Sequence, residues 1–225
     1  MRVISERGLV LQGCGKMGSA LLRGWLDAGV KPESVWINDP APSEWVRSVG
    51  THLNVDFPDV PAVVIVAVKP QILQSALPEL RDLSGAKTLF VSVAAGVTLA
   101  QFEIVLGDQT PIIRVMPNTP AAIGQGISAL IGNAKADKSH IDLATELMAS
   151  VGHVVHLDSE TQMDAVTGVS GSGPAYVFHL IETLAFAGIA EGLPRQLAFD
   201  LALKSVAGAG AVAAGAYTLR TRPSP

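Results

Sequence analysis

The chain has 225 residues, of which 48% are hydrophobic and 16% are charged, as in a globular protein with a large core. Its net charge of −4 provides no basic field to hold a nucleic acid or an anionic membrane. A single cysteine, Cys14, excludes an internal disulfide and a thiolate zinc site, and the histidines show no metal-ligand spacing. Without a signal peptide or a long apolar span, the sequence predicts a cytoplasmic protein.

The first predicted elements are a strand, a glycine-rich turn and a helix. An apolar run from residue 9 ends in a Gly-x-Gly-x-x-Gly motif, and a helical pattern follows at once. In this motif Gly13 permits the sharp turn, Gly15 lets the backbone approach a pyrophosphate, and Gly18 lets the helix pack on the strand. The free N–H groups at the helix start also favour phosphate. The turn is therefore predicted to bind a dinucleotide through Gly13, Cys14, Gly15, Lys16, Met17 and Gly18.

Strands and helices then alternate. We expect strands over residues 34–38, 52–55, 61–68, 88–93, 111–116, 126–131 and 154–157. Helices are expected over residues 42–49, 72–83, 98–106 and 137–151. This alternation predicts an α/β fold with a right-handed, Rossmann-like, doubly wound parallel sheet. Ligands bind beyond the carboxyl ends of such strands, where residues 39, 69–70, 94–96 and 116–120 fall.

The pattern changes at about residue 158, where the predicted strands stop. We expect two helices, over residues 175–192 and 194–214, and the second is rich in Ala and Gly. Pro174 suits the first turn of a helix, and Ser172 can cap it. Because small residues permit close helix approach, this part indicates an all-α packing domain. The predicted domains are residues 1–158 and 159–225.

Five motifs together resemble one family. They are GCGKMG at 13–18, AVKP at 67–70, SVAAGV at 92–97, RVMPNTP at 114–120 and AVTGVSGSGPAYVF at 165–178. They are similar to those of pyrroline-5-carboxylate reductase. The resemblance implies reduction of 1-pyrroline-5-carboxylate to L-proline with NADPH or NADH, the last step of proline biosynthesis. It also implies a helical dimerisation domain, a homodimer or higher oligomer, a small-molecule substrate, and no nucleic-acid or membrane partner.

The resemblance assigns further residues to the site. The ribose and adenosine side of the cofactor would contact Ala67, Val68, Lys69 and Pro70. Asn38 and Asp39 are cofactor-binding candidates because they lie at the end of the second strand, not because the family carries an acidic residue there. The nicotinamide side would contact Ala94, Ala95, Gly96, Met116, Pro117 and Asn118. The substrate would be approached by Ser170, Gly171, Ser172 and Gly173, whose N–H groups suit a carboxylate. No catalytic nucleophile is assigned, since hydride transfer to a protonated imine chiefly requires that the two reactants be positioned.

Asp39 has two interpretations that the sequence leaves open. It lies about 20 residues beyond the glycine-rich turn, where an acidic residue accepts the ribose 2′-OH of NAD and would repel the 2′-phosphate of NADP. Alternatively, its side chain initiates a turn with Pro40. The preference between NADH and NADPH therefore stays open as well.

The chain departs from the family at its end. Family members continue past the second helix with a loop resembling TSPGGTT and a further long helix, neither of which occurs before residue 225. We therefore expect a shortened member, with a native or frameshifted end, whose substrate pocket and oligomer interface are incomplete. Cofactor binding should survive better than proline formation. The alternatives are a non-catalytic dinucleotide-binding relic and, less favoured, a β-hydroxyacid dehydrogenase, whose catalytic lysine has no counterpart from residue 158 through 203.

Overall fold

The computed structural model describes residues 2–221, and side chains in residues 2–216. Eight strands form one sheet in the order β3-β2-β1-β4-β5-β6-β7-β8. They are β1 (Leu9–Gln12), β2 (Val35–Asn38), β3 (His52–Leu53), β4 (Val63–Val66), β5 (Leu89–Ser92), β6 (Ile112–Met116), β7 (Gly126–Gly132) and β8 (Gly152–His156). Every residue of β1, β4 and β5 is buried, because these central strands are covered on both faces.

The helices lie between and after the strands. They are α1 (Arg2–Arg7), α2 (Lys16–Asp27), α3 (Glu44–Ser48), α4 (Pro70–Ala76), α5 (Leu99–Leu106), α6 (Lys138–Ala149), α7 (Met163–Val166), α8 (Gly173–Ala190) and α9 (Arg195–Thr221). Thr98 and Asp137 cap α5 and α6 through capping boxes, at the first residues of the two predicted helices. The helix expected over residues 72–83 is instead α4 followed by a 3₁₀ segment at Pro78–Leu83, since Pro78 has no N–H to continue the α-helix.

The sheet is parallel except at one pair of strands. β7 runs antiparallel to β6, with Met116 opposite Ala129, while the other neighbouring strands are parallel as predicted. The link between these strands holds only a short 3₁₀ turn, Thr119–Ile123. A parallel crossover needs a dozen or more residues, so the chain reverses here instead. α6 then carries the chain back to place β8 parallel to β7.

Two hydrophobic layers cover the two faces of the sheet. One layer is centred on α2, where Trp25 is fully buried and donates its indole N–H to the carbonyl oxygen of Leu147 at 3.0 Å. The other layer packs α4, the 3₁₀ segment after it and α5 on the sheet, through Leu73, Leu80 and Phe102. Helices on both faces are what the sequence predicts for a doubly wound fold.

The chain divides into two compact units, the first ending at Gly171 and the second beginning at Ser172. The first unit therefore includes a helical segment that the sequence does not predict, formed by a 3₁₀ turn (Glu160–Gln162), α7 and a π-helical turn (Thr167–Gly171). The functional boundary at residue 158 stays a prediction. Residues 222–225 of the predicted second domain lie outside the described part of the chain.

The second unit consists of α8 and α9 packed on each other. Phe186 and Phe199 meet edge to face, with ring centroids 5.9 Å apart. Close helix approach is needed at Gly188, since a Cβ there would lie 3.4 Å from the Cβ of Ala198. Many large apolar side chains of the pair remain exposed, among them Tyr176, Phe178, Leu184, Leu197 and Leu201.

Two helical stretches, Glu160–Ala190 and Arg195–Ala216, have the length and apolar composition of membrane spans, and few of their residues are buried. An exposed apolar helix face is equally expected where protein subunits meet. The absence of a membrane partner stays a prediction.

Candidate cofactor-binding site

The glycine-rich turn after β1 has the backbone that its sequence requires. Gly13 has a left-handed φ of +87°, and a Cβ there would lie 2.9 Å from Val68 Cγ1. A Cβ on Gly18 would come within 2.5 Å of the Gly13 carbonyl oxygen. Any side chain at either position would therefore open the turn or push α2 away from β1.

Gly15 differs from its two neighbouring glycines in having open space. Apart from its two chain neighbours, no protein atom lies within 4 Å of a Cβ placed on Gly15, which occupies the N-cap position of α2. The first turn of α2 presents unpaired N–H groups and the positive end of the helix dipole. An anionic group can therefore approach the bare backbone at Gly15 closely, as the pyrophosphate of a dinucleotide would.

A cleft of about 670 Å³ opens beside this turn. Three strand ends contribute to it, those of β1, β4 and β5. The cleft is lined by Gly15, Lys16, Met17, Ala67, Val68, Lys69, Pro70, Val93, Ala94 and Ala95. All of these except Val93 are predicted cofactor contacts. Val93 was missed although it lies inside the SVAAGV motif, between the end of β5 and the predicted Ala94.

The charge of the cleft suits an anionic ligand. Lys16 and Lys69 are both exposed and both line it, and neither forms an ion pair with any residue in the described part of the chain. Lys69 directly precedes α4, and Lys16 is the first residue of α2. Two free ammonium groups next to a helix N-terminus attract phosphate oxygens.

Asp39 is held against the glycine-rich turn. Its Oδ2 accepts the N–H of Cys14 at 2.6 Å, and its Oδ1 accepts the N–H of Ala41 at 2.8 Å. The second contact is the turn that the sequence allowed for Asp39 and Pro40. The first contact places the carboxylate at the edge of the predicted nucleotide site, so the ribose interpretation stays open beside the turn.

Asn54 fixes the backbone of Asp39 and was not anticipated from the sequence. Its amide donates to the Asp39 carbonyl oxygen at 2.9 Å and accepts the Asp39 N–H at 2.9 Å. Among residues 2–221, Asn54 is the non-glycine residue with a left-handed φ, at 54°. Asparagine tolerates this conformation, so an asparagine just after a predicted strand was the sequence signal that could have indicated a turn stabilised by its side chain.

The remaining side chains near the turn are engaged inside the protein. Asn38 donates from Nδ2 to Gln12 Oε1 at 3.2 Å, which ties the ends of β2 and β1 together. Burial raises the pKa of the Cys14 thiol, and the Asp39 carboxylate adds to the rise, while a hydrogen bond with Ser19 opposes it. A buried, protonated thiol suits a small packing residue in the turn.

The end of β6 is joined to the substrate-side segment. Asn118 accepts the N–H of Ile127 at 2.9 Å and donates from Nδ2 to the Ser170 carbonyl oxygen at 3.1 Å. The resemblance implies that Asn118 contacts the nicotinamide side of the cofactor. Both ends of the amide already serve the protein, which leaves one N–H and the spare oxygen lone pair. A Cβ on Gly171 would lie 2.6 Å from Met116 Cε, so this side of the segment is closely packed.

The four substrate-side candidates do not form the simple helix start that the sequence suggests. Ser170 and Gly171 belong to the π-helical turn that ends the first unit, and the Ser170 hydroxyl donates to the Val166 carbonyl oxygen at 3.0 Å. Ser172 and Gly173 open the second unit. The expected Ser172 cap is wrong, because Ser172 has a helical backbone rather than the extended one that a cap requires, and makes no capping hydrogen bond. Pro174 does occupy the first turn of α8.

Other predicted residues lie at strand ends without lining the cleft. They are Gly96 after β5, and Met116, Pro117 and Asn118 at the end of β6. Their part in cofactor binding stays a prediction. Within the residues that the structure describes, no group of three or more His, Cys, Asp or Glu side chains could hold a metal ion.

Two family descriptions match the chain. Residues 160–223 match the family described as "Pyrroline-5-carboxylate reductase dimerisation". Residues 8–96 match the family described as "NADP oxidoreductase coenzyme F420-dependent". A pyrroline-5-carboxylate reductase from Methanosarcina acetivorans is 38% identical over 208 residues, which are 89% of this chain and 77% of that protein. The corresponding protein from Escherichia coli is 34% identical over 211 residues, or 90% of this chain and 78% of its own.

Solved structures with a similar fold include enzymes of the same name. A pyrroline-5-carboxylate reductase from Coxiella burnetii superposes with a TM-score of 0.84 at 31% identity, covering 97% of this chain and 82% of that one. Pyrroline carboxylate reductase from Plasmodium falciparum, solved with NADP bound, has a TM-score of 0.81 at 27% identity, covering 97% of this chain and 80% of that one.

Proposed function

The chain belongs to the pyrroline-5-carboxylate reductase family, and we propose that it binds its nicotinamide cofactor in the cleft beside the glycine-rich turn. It is an NAD(P)H-dependent oxidoreductase that reduces 1-pyrroline-5-carboxylate to L-proline, the last step of proline biosynthesis. The observation that carries the proposed site is the open backbone at Gly15, in a cleft that two lysines without ion pairs, Lys16 and Lys69, also line.

The residues of the cleft would each have a definite part in cofactor binding. The N–H groups at the start of α2 and the backbone of Gly15 hold the pyrophosphate, and Lys16 and Lys69 balance its charge. Ala67 and Val68 provide an apolar wall, and Ala94 and Ala95 leave room for a flat ring because their side chains are small. When bound, the reduced nicotinamide supplies a hydride to the electrophilic carbon of the imine.

The substrate is a small cyclic imine that carries a carboxylate. We assign its recognition to the segment Ser170–Gly173, of which Ser170 and Gly171 are anchored by the side chains of Asn118 and Met116. Asn118 is then a positioning residue, because its amide fixes the Ser170 carbonyl at the end of β6. Rigid placement matters here, since hydride transfer depends on bringing the two reacting carbons together.

The helical part supports assembly of a homo-oligomer. The family match over residues 160–223 is to a dimerisation domain, and the exposed apolar side chains of α8 and α9 provide a surface for it. We propose a dimer formed through these helices, and light scattering measures whether the dimers assemble further. A monodisperse monomer would contradict the dimer. Proline biosynthesis is consistent with the cytoplasmic location expected from the sequence.

One assay tests the activity. The purified full chain is incubated with 1-pyrroline-5-carboxylate and either NADH or NADPH, and the loss of reduced-nicotinamide absorbance is followed together with proline formation. Proline formation supports the proposal, whereas a rate like that of the longer relatives would contradict the expectation that proline formation is weakened more than cofactor binding. Cofactor binding without turnover would support a non-catalytic dinucleotide-binding protein. Oxidation of β-hydroxyacids with NAD⁺ or NADP⁺ serves as the control for the dehydrogenase alternative, and none is expected.

A further inference from the structure

The carboxylate of Asp39 is fixed in one place by the protein. Cys14 and Ala41 donate backbone N–H groups to its two oxygens, at 2.6 and 2.8 Å. Asn54 holds the Asp39 backbone from both sides, with two hydrogen bonds of 2.9 Å. The carboxylate cannot swing aside to admit another anion without losing both of its hydrogen bonds to backbone N–H groups.

This fixed charge lies at the edge where the adenosine ribose is expected. β1 and β2 are parallel neighbours, with Gln12 opposite Asn38, so the residues that follow them emerge at the same edge of the sheet. The direct bond from Cys14 places Asp39 against the glycine-rich turn. In dinucleotide-binding folds, an acidic residue at this edge accepts the ribose 2′-OH. Asp39 is partly exposed, and its oxygens keep spare lone pairs for that contact.

The surroundings of Asp39 provide little to hold a 2′-phosphate. Residues 40–48 contain one basic residue, Arg47, and its Nε donates to the Pro42 carbonyl oxygen at 3.2 Å. Arg23, on α2, lies over the ring of Trp45 at 3.8 Å. No ion pair neutralises Asp39 within the described residues. A phosphate brought to this edge would meet an uncompensated carboxylate, and like charges in contact oppose binding.

We propose that Asp39, held by Asn54, makes this enzyme select NADH over NADPH. The hydroxyl of NADH donates a hydrogen bond to the carboxylate, whereas the 2′-phosphate of NADPH is repelled by it. The inference rests on the proposed cofactor site, and it concerns the adenosine end of the cofactor rather than the hydride-transfer chemistry.

The test uses nucleotide fragments that lack the nicotinamide. The affinities of the full chain for 5′-AMP and adenosine 2′,5′-bisphosphate are measured by isothermal titration calorimetry, and kcat/KM is compared for NADH and NADPH. We expect the affinity for 5′-AMP to be about tenfold higher than that for the bisphosphate, or higher still. Asp39→Asn removes the charge at nearly constant size, and should reduce this ratio to near one or reverse it.

Asp59→Asn is the matched control. Asp59 is an exposed aspartate just before β4, at the opposite edge of the sheet, so the same chemical change there should leave the ratio unchanged. Circular dichroism and thermal unfolding check that both variants fold. If Asp39→Asn fails to fold, the comparison of the two nucleotides on the unchanged protein still decides whether it selects against a 2′-phosphate, and equal binding would overturn the inference.

The outcomes separate this inference from the proposed function. Equal or tighter binding of the bisphosphate by the unchanged protein would overturn the selectivity and leave the cofactor site standing. An unchanged ratio in a folded Asp39→Asn variant would also overturn the role of Asp39. Failure of both nucleotides to bind would refute the cofactor site itself, and this inference with it.

Discussion

Gly15→Ala is expected to weaken cofactor binding while leaving the fold intact. Apart from its two chain neighbours, no protein atom lies within 4 Å of the added Cβ, and the φ of Gly15 is negative, at −68°, as it is in most L residues. Alanine is a poorer N-cap than glycine, whereas the loss of backbone freedom in the unfolded chain favours alanine. These effects oppose each other, so the free energy of unfolding should change by less than about 1 kcal/mol.

The effect on the cofactor should be larger because the methyl group stands where the pyrophosphate approaches. Displacing the phosphate weakens charge-assisted hydrogen bonds to backbone N–H groups, which contribute about 1.5–3 kcal/mol each. Loss of one such bond raises the Kd for NADH or NADPH by about 10- to 100-fold. Titration of nucleotide fluorescence gives the Kd, and urea denaturation gives the free energy of unfolding.

Gly18→Ala is the matched comparison in the same turn. Its Cβ would lie 2.5 Å from the Gly13 carbonyl oxygen, so α2 must move, and the protein should lose about 1–3 kcal/mol of stability. An unchanged Kd for Gly15→Ala would refute the proposed position of the pyrophosphate. A loss of stability as large as that of Gly18→Ala would refute the open space at Gly15.

Three further predictions concern stability. Glu160→Gln should lower the free energy of unfolding by about 1–3 kcal/mol, because Arg114, whose side chain is 5% exposed, loses its counter-charge; unchanged urea denaturation would contradict this. Trp25→Phe should cost about 2–3 kcal/mol in the same assay, since it leaves the Leu147 carbonyl oxygen without its donor and removes buried volume. Burial raises the pKa of Cys14 above its ordinary value of 9.0, so the folded protein keeps a proton that the unfolded chain releases. Stability should therefore fall as the pH rises past about 9, and Cys14→Ala should lose that part of the pH dependence in denaturation curves.

The sequence by itself determined the features that depend on neighbouring residues. The spacing of Gly13, Gly15 and Gly18 predicts the turn because the steric limits act within one strand, turn and helix. Thr98 and Asp137 cap the helices that follow them for the same reason, since the bonded N–H lies three residues away. The buried strand at residues 63–66 was recognisable because a strand covered on both faces has no polar alternation.

Only the tertiary structure decided which distant groups meet. The pairing of Asp39 with Cys14 and Asn54, and of Asn118 with Ser170, depends on which strand ends are neighbours in the sheet. The antiparallel direction of β7 was likewise seen only in the structure, where β7 pairs with β6 after a link too short for a parallel crossover. A buried polar group must find a partner, but the identity of that partner is set by chain topology rather than by adjacent residues. For this reason the sequence indicated a nucleotide site, while the fixed position of the Asp39 carboxylate emerged only from the fold.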